Sequence, residues 1–225
     1  MPGKAGGVRQ AEIRNVGIRV WARGPAAAGL LALALFACSG EVHLEPGEAG
    51  VDYRLQGEYR GADAGWAVQV VALGSGRFRA VLLGGGLPGE GFDGKTRHEA
   101  EGRRKGERIE FAGAWRGSLE SGRMSGLDPE GQAFALGRVI RLSPSAGAPA
   151  PAGALALFDG AATEHLGQGS ADSRGLLAVP ARSAEPHADI VLHLEFRTPF
   201  MPGASGQGRG NSGVYLQGRY EVQVL

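Results

Sequence analysis

Beyond residue 50 the chain alternates between short apolar runs and glycine-rich breaks. Trp66-Ala-Val-Gln-Val-Val-Ala-Leu73 is rich in β-branched residues and stops at Gly74-Ser75-Gly76, after which Arg77-Phe-Arg-Ala-Val-Leu-Leu83 begins at once. Two apolar runs around a Gly-Ser-Gly break predict a β-hairpin. In the second run Phe78, Ala80 and Leu82 fall on one face, and Arg77, Arg79, Val81 and Leu83 on the other. That strand is expected to have a wet face over its first half and to be buried on both sides over its second. Arg108-Ile-Glu-Phe111 alternates in the same way, Gly117 to Met124 predicts another short hairpin, and Phe134 to Leu142 a closing strand. No long segment past the N-terminus has apolar residues at helical spacing.

The second half predicts further strands. Ala154 to Phe158 runs into Asp159-Gly160, a strand and turn. In Asp189-Ile-Val-Leu-His-Leu-Glu-Phe-Arg197, Leu192, Leu194 and Phe196 share one face and Val191, His193, Glu195 and Arg197 the other. Gly213 to Gln217 and Arg219 to Leu225 follow, with Gly218 at the break. In the latter run Tyr220, Val222 and Val224 oppose Arg219, Glu221 and Gln223. Polar faces carrying Glu, Arg, Gln and Asn near Tyr215 and Tyr220 suit a sugar, which takes planar hydrogen-bonding groups and an aromatic ring. An ordinary outer sheet face has the same pattern.

Composition narrows the classes. The chain has 225 residues, enough for one large or two small domains, and 43% are hydrophobic. Its 40 glycines follow no Gly-X-Y period, which excludes collagen. A net charge of +1 leaves no electrostatic footprint for nucleic acid. The one cysteine, Cys38, excludes an intrachain disulfide. Ala26 to Ala37 is a short apolar run behind Arg14, Arg19 and Arg23, the layout of a secretory signal. It falls short of the ~20 residues that span a bilayer. Leu35-Phe36-Ala37-Cys38 resembles a lipobox, which implies lipidation at Cys38. Ser39 in place of Asp then implies sorting to the outer membrane. The expectation is an exported protein, lipid-anchored at the bacterial cell envelope on the outer membrane or in the periplasm. An uncleaved anchor or a plain buried cysteine is the alternative.

Between the predicted strands, Gly84 to Gly94 holds many glycines, but Lys95-Thr96 does not complete a phosphate-binding spacing, so a wide surface loop is expected. His98, Glu99 and Glu101 suggest a metal, but Arg97, Arg103, Arg104 and Lys105 around them suggest a solvated charged edge. No cofactor and no metal are expected. Ser143 to Gly153 is an uncharged Pro/Ala/Gly stretch, a semi-stiff linker. The resulting division is a signal with lipobox over 1–38, a tether over 39–50, a small β domain over 51–142, the linker over 143–153, and a second domain over 154–225.

Three stretches carry a specific resemblance: Leu157-Phe-Asp-Gly160, Leu192-His-Leu-Glu-Phe-Arg-Thr-Pro-Phe-Met-Pro202, and Gly206-Gln-Gly-Arg-Gly-Asn-Ser-Gly-Val-Tyr-Leu-Gln-Gly-Arg-Tyr-Glu-Val-Gln-Val-Leu225. Together they resemble the 3-keto-disaccharide hydrolase domain family. Gln69 to Lys95 resembles the β-rich segment ahead of the catalytic domain in some long members. The resemblance implies an all-β fold, with a small N-terminal β domain followed by a concanavalin-like β-sandwich (a jelly roll). The chain ends on an apolar run, and 154–225 is shorter than the ~100 residues of a comparable sandwich. A domain truncated at its C-terminus is therefore expected.

The activity implied is hydrolysis of 3-keto-disaccharides or related 3-keto-glycosides at the envelope. A C3 ketone makes the C2 proton acidic. A carboxylate removes it, the glycosidic oxygen leaves by elimination, and water then adds. Direct hydrolysis by two carboxylates is the runner-up. Glu195 and Glu221 are the candidate catalytic acids, Arg197 and Arg209 the candidate oxyanion or keto-oxygen partners. Asn211 and Gln223 are expected to bind hydroxyls, and Tyr215 to contribute to substrate binding. Each has a structural alternative: Glu195 and Arg197 as a solvated pair, Arg209 and Asn211 as loop-shaping groups, His193 as a sheet-face histidine. The partners expected are a carbohydrate substrate and, through the lipid, a membrane; the oligomeric state is left open. A glycan-binding module without turnover and an inactive fragment are the other two functional readings.

Overall fold

The Gly74-Ser75-Gly76 break puts three consecutive residues at positive φ, +81°, +55° and +66°. That conformation suits glycine and, less readily, a small polar residue. The break closes on two backbone bonds, Leu73 N to Arg77 O at 2.8 Å and Arg77 N to Gly74 O at 3.1 Å. It joins β2 (Trp66–Ala72) to β3 (Arg77–Gly84), as the apolar runs predict. The computed structural model describes residues 41–62, 65–161, 164–187, 190–216 and 218–224. Cys38 and the predicted signal with its lipobox-like stretch lie outside these residues, as do Asp189, Gln217 and Leu225.

Among the described residues the chain is all-β apart from a one-and-a-half-turn helix, α1 (Gly50–Leu55), and a 3₁₀ turn at Gly206–Gly208. Eight strands form a closed antiparallel barrel in chain order: β1 (Gly57–Arg60), β2, β3, β4 (Arg97–Lys105), β5 (Arg108–Gly113), β6 (Arg116–Glu120), β7 (Arg123–Leu127) and β8 (Ala133–Val139). β8 is the closing strand that the Phe134–Leu142 pattern predicts. It pairs with β1 through Glu58–Val139, Tyr59–Arg138 and Arg60–Gly137, which removes both sheet edges. The β6–β7 hairpin turns on Ser121 and Gly122, both at positive φ (+49° and +73°). This is the geometry that two-residue hairpins favour.

Alternation sorts the barrel wall. Tyr59, Val68, Val70, Phe78, Leu82, Ile109, Phe111, Leu119, Met124 and Leu136 point inward and are buried in one core. The outward positions include Arg77, Arg79, Glu99, Glu101, Arg103, Arg108, Glu110, Glu120 and Arg123. A barrel that spans lipid needs an outward apolar band, whereas this wall is charged along its strands. No helix among the described residues is long and apolar enough to cross a membrane. The interior is filled rather than hollow: a Cβ placed on Gly102 would meet Phe111 Cε1 at 2.5 Å and Ile109 Cγ2 at 2.8 Å.

Helix α1 lies next to one end of the barrel. Asp52 accepts from Arg104 Nε at 2.6 Å and from the Gly76 amide at 3.2 Å, and the buried Tyr59 hydroxyl donates to Leu55 O at 2.7 Å. Phe200 joins this core, bridging to His43 and meeting Tyr53 edge-on with ring centroids 5.4 Å apart.

One expectation for the barrel region is corrected, and the charged edge expected around His98 is narrowed to its flanking charged residues. The Gly84–Gly94 stretch is not a wide loop. Gly85, Gly86 and Gly91 bring backbone so close that a Cβ at each would lie within 2.5 Å of a carbonyl oxygen across the loop, and Leu87 is fully buried. Arg60–Glu90 and the bond from Arg141 to Pro88 O tie the loop down on the outer side of β1, where Arg141 also pairs with Glu58 at 2.6 Å. His98 does not join Glu99 and Glu101. As the cross-strand partner of inward-facing Leu82, His98 points inward beside Trp66, whereas the two carboxylates point outward. No group of three or more metal-ligating side chains occurs among the described residues.

Residues 42–144 and 200–205 gather in the barrel unit; a second unit gathers 145–199 and, among the described residues, 206–224. The stretch 143–153 is exposed and irregular. The second unit holds two separate two-stranded ladders: β9 (Leu166–Ala171) with β10 (Leu177–Ser183), and β11 (Ser212–Leu216) with β12 (Tyr220–Val224). Two strand expectations fail here. Residues 154–158 form no strand, and Asp159 instead accepts the Ala161 amide at 3.2 Å in a local turn. Residues 190–199 form no strand either, despite their alternation. The predicted core residues Leu192, Leu194 and Phe196 are exposed, while Arg197, assigned to the polar face, is buried. Periodicity describes what a strand would bury; a strand forms only where a neighbour completes its ladder.

Candidate functional site

Four of the seven predicted site residues, Asn211, Tyr215, Glu221 and Gln223, stand on or next to the β11–β12 hairpin. Its register pairs Ser212 with Val224, Gly213 with Gln223, Val214 with Val222, Tyr215 with Glu221 and Leu216 with Tyr220. Directly opposed residues share a face. One face therefore carries Gly213, Tyr215, Glu221 and Gln223, with Asn211 just ahead of β11. The other carries Val214, Leu216, Tyr220 and Val222. The turn between the strands uses Gly218 at φ +65°, and Arg219 N bonds to Leu216 O at 3.0 Å.

On the polar face the groups are already paired with one another. Gln223 Nε2 donates to the Asn211 side-chain oxygen and to Ser212 O at 3.1 Å. The Tyr215 hydroxyl hydrogen-bonds to the Glu221 carboxylate, and this bond, with the carboxylate charge, holds the phenol above the usual tyrosine range. The Glu221 side chain folds back across β11, over Gly213. Both rings of the hairpin are well exposed, Tyr215 at 60% and Tyr220 at 68%.

Of the seven candidate substrate-handling residues, four (Asn211, Tyr215, Glu221 and Gln223) meet on this face. Arg209 stands just before it, after the 3₁₀ turn, where its amide bonds to Gly206 O at 3.0 Å. Its guanidinium is half-buried, and desolvation works against its charge. Glu195 is engaged elsewhere, accepting from the Gly147 amide and lying 3.5 Å from His193 Nε2. Arg197 is buried away from solvent. The hairpin thus offers one carboxylate beside a phenol and two amides. This set can accept a proton and bind hydroxyls, but it does not place two carboxylates face to face.

The barrel also holds paired polar groups, Glu58 with Gln69 and Arg141. Its buried Asp128 accepts from the Glu130 and Gln132 amides, at 3.1 and 2.8 Å, and from Trp66 Nε1 at 3.2 Å, which fixes the turn before β8. Sequence reasoning overlooked Gly213. The signal was available, because a glycine diagonal to a glutamate on the facing strand leaves room for the longer side chain to lie flat.

The observed architecture is that of an all-β protein: an eight-stranded antiparallel barrel unit with a second, hairpin-containing unit. Compared with protein families, curated proteins and solved structures, the chain has no match.

Proposed function

We propose that this protein is a carbohydrate-active hydrolase of the bacterial cell envelope that acts on 3-keto-disaccharides or related 3-keto-glycosides. The reading rests on the resemblance of Leu157–Gly160, Leu192–Pro202 and Gly206–Leu225 to the 3-keto-disaccharide hydrolase family. The single observation that carries it is the hairpin face on which Tyr215, Glu221, Asn211 and Gln223 stand together. The second unit is read as part of a concanavalin-like sandwich, and lipidation at Cys38 as the tether to the envelope.

Glu221 is assigned as the base that takes the C2 proton next to the C3 ketone. The glycosidic oxygen then departs from C1 with that proton, which restores the Glu221 carboxylate, and water adds across the resulting enone, its hydroxyl to C1 and its hydrogen to C2. Asn211 and Gln223 bind hydroxyls, and Arg209 faces the enolate oxygen. The engagement of Glu195 with His193 and Gly147 favours this one-base route over hydrolysis by two carboxylates, which needs both acids across one bond.

The test is incubation of the full chain with a 3-keto-disaccharide and, separately, with the parent disaccharide that lacks the ketone. Free monosaccharides are expected from the first alone. Release from both substrates, or from neither, contradicts the reading. A second reading, a glycan-binding module, is favoured by the exposure of Tyr215 and Tyr220; it predicts a calorimetric binding signal without product.

A further inference from the structure

Gly213 stands opposite Gln223 and diagonal to Glu221. A Cβ built on it would lie 2.1 Å from Glu221 Oε1 and 2.7 Å from both Cγ and Cδ of the same side chain. Real Cβ atoms do not approach other atoms so closely. The Glu221 carboxyl group therefore occupies the space that any side chain at 213 would need. Gly213 is not among the residues whose backbone requires glycine, because its φ lies outside the left-handed region. Its lack of a side chain is thus not explained by backbone conformation, whereas the space taken up by Glu221 explains it directly.

We infer that Gly213 is a positioning residue, whose missing side chain forms the slot that lays the Glu221 carboxylate across β11 beside the Tyr215 hydroxyl. The inference deepens the proposed function and rests on it for the catalytic meaning of Glu221, but its geometry is testable without turnover. Without the slot the carboxylate has to swing off the face, because the atoms in the way are the far end of a flexible side chain. The Tyr215–Glu221 contact would then be lost. Glu221 is the charged group that the hairpin sets opposite Tyr215, and the neighbours Asn211 and Gln223 are neutral. The elevated phenol range of Tyr215 is therefore a reporter of where the carboxylate lies.

The experiment compares the full chain with Gly213→Ala and Glu221→Gln by ultraviolet difference titration of the tyrosines. Both variants are expected to bring one phenol, that of Tyr215, down to the range of a free tyrosine. A Gly213→Ala protein that titrates like the parent overturns the inference. Should the alanine loosen the hairpin, the same substitution in a Glu221→Ala background separates the causes. Amide protection across Val214 and Val222 is expected to fall on Gly213→Ala with Glu221 present and to be unchanged without it; equal losses in both backgrounds overturn the inference. With a 3-keto-disaccharide, Gly213→Ala is expected to lower kcat by about 10²-fold at constant KM, the scale of a misplaced reacting group. A parent protein without turnover defeats the functional reading and leaves the titration to decide the geometry.

Discussion

Replacing Gly102 by alanine puts the barrel's packing to a quantitative test. The added methyl would sit 2.5 Å from Phe111 Cε1, 2.7 Å from Cδ1 and 2.8 Å from Ile109 Cγ2. Carbon atoms rest at ~3.5–4.0 Å, so the Phe111 ring has to withdraw by about 1 Å into a core already occupied by Trp115, whose ring centroid is 5.4 Å away. Overpacking of this kind costs about 1–3 kcal/mol. Gly102 has no positive φ to protect, so alanine also recovers about 0.4–1 kcal/mol by restricting the unfolded chain. The net expectation is a loss of about 1–2 kcal/mol. For a domain of this size that is a fall in Tm of roughly 4–8 °C per kcal/mol. Urea denaturation followed through the fluorescence of Trp66 and Trp115 measures it. Phe111→Leu in the Gly102→Ala protein relieves the clash, and a coupling of at least about 0.5 kcal/mol is expected between the two sites. A Gly102→Ala protein as stable as the parent, or strictly additive losses, would refute the claim that the barrel is filled by these rings.

Two pH effects follow from the wall and core of the same barrel. Arg141, with Gln69, holds the Glu58 carboxyl below the usual carboxylate range. Its contribution to stability is therefore present above the unfolded carboxylate value and disappears as pH falls through the lowered folded value. Glu58→Gln is expected to flatten the acid limb of a plot of Tm against pH; an unaltered limb contradicts this. Burial pushes the Tyr59 phenol up to about 12, so stability is complete below the unfolded tyrosine value of ~10 and declines as pH rises from there. Tyr59→Phe is expected to remove that alkaline decline and to cost about 0.5–1.5 kcal/mol at neutral pH through loss of the bond to Leu55 O, both read from denaturation curves.

Much of the barrel was legible because its local rules agree with its global form. The Gly-Ser-Gly break, the alternation from Arg77 to Leu83, the Ser121-Gly122 turn and the last strand each carry turn chemistry or periodicity strong enough to predict an element. Closure was not legible, because it depends on Glu58, Tyr59 and Arg60 meeting strand β8, contacts far apart in sequence. The fold of the Gly84–Gly94 loop was hidden for a different reason: glycine permits both an open loop and a close backbone approach, and only the burial of Leu87 tells them apart. In the second unit, the alternation of residues 190–197 is as regular as that of 77–83, yet it makes no strand. Site residues on the hairpin were found together because a two-stranded register is local. Glu195 and Arg197 were assigned to the site through a strand that does not form.

The account depends most on Glu221 taking a proton from the carbon next to a sugar ketone. The direct measurement is the rate at which the full chain cleaves a 3-keto-disaccharide carrying hydrogen or deuterium at C2, repeated with Glu221→Gln. Slower cleavage of the deuterated sugar, together with loss of most turnover in the variant, is the predicted result. Equal rates for the two isotopes combined with full activity of Glu221→Gln would contradict it.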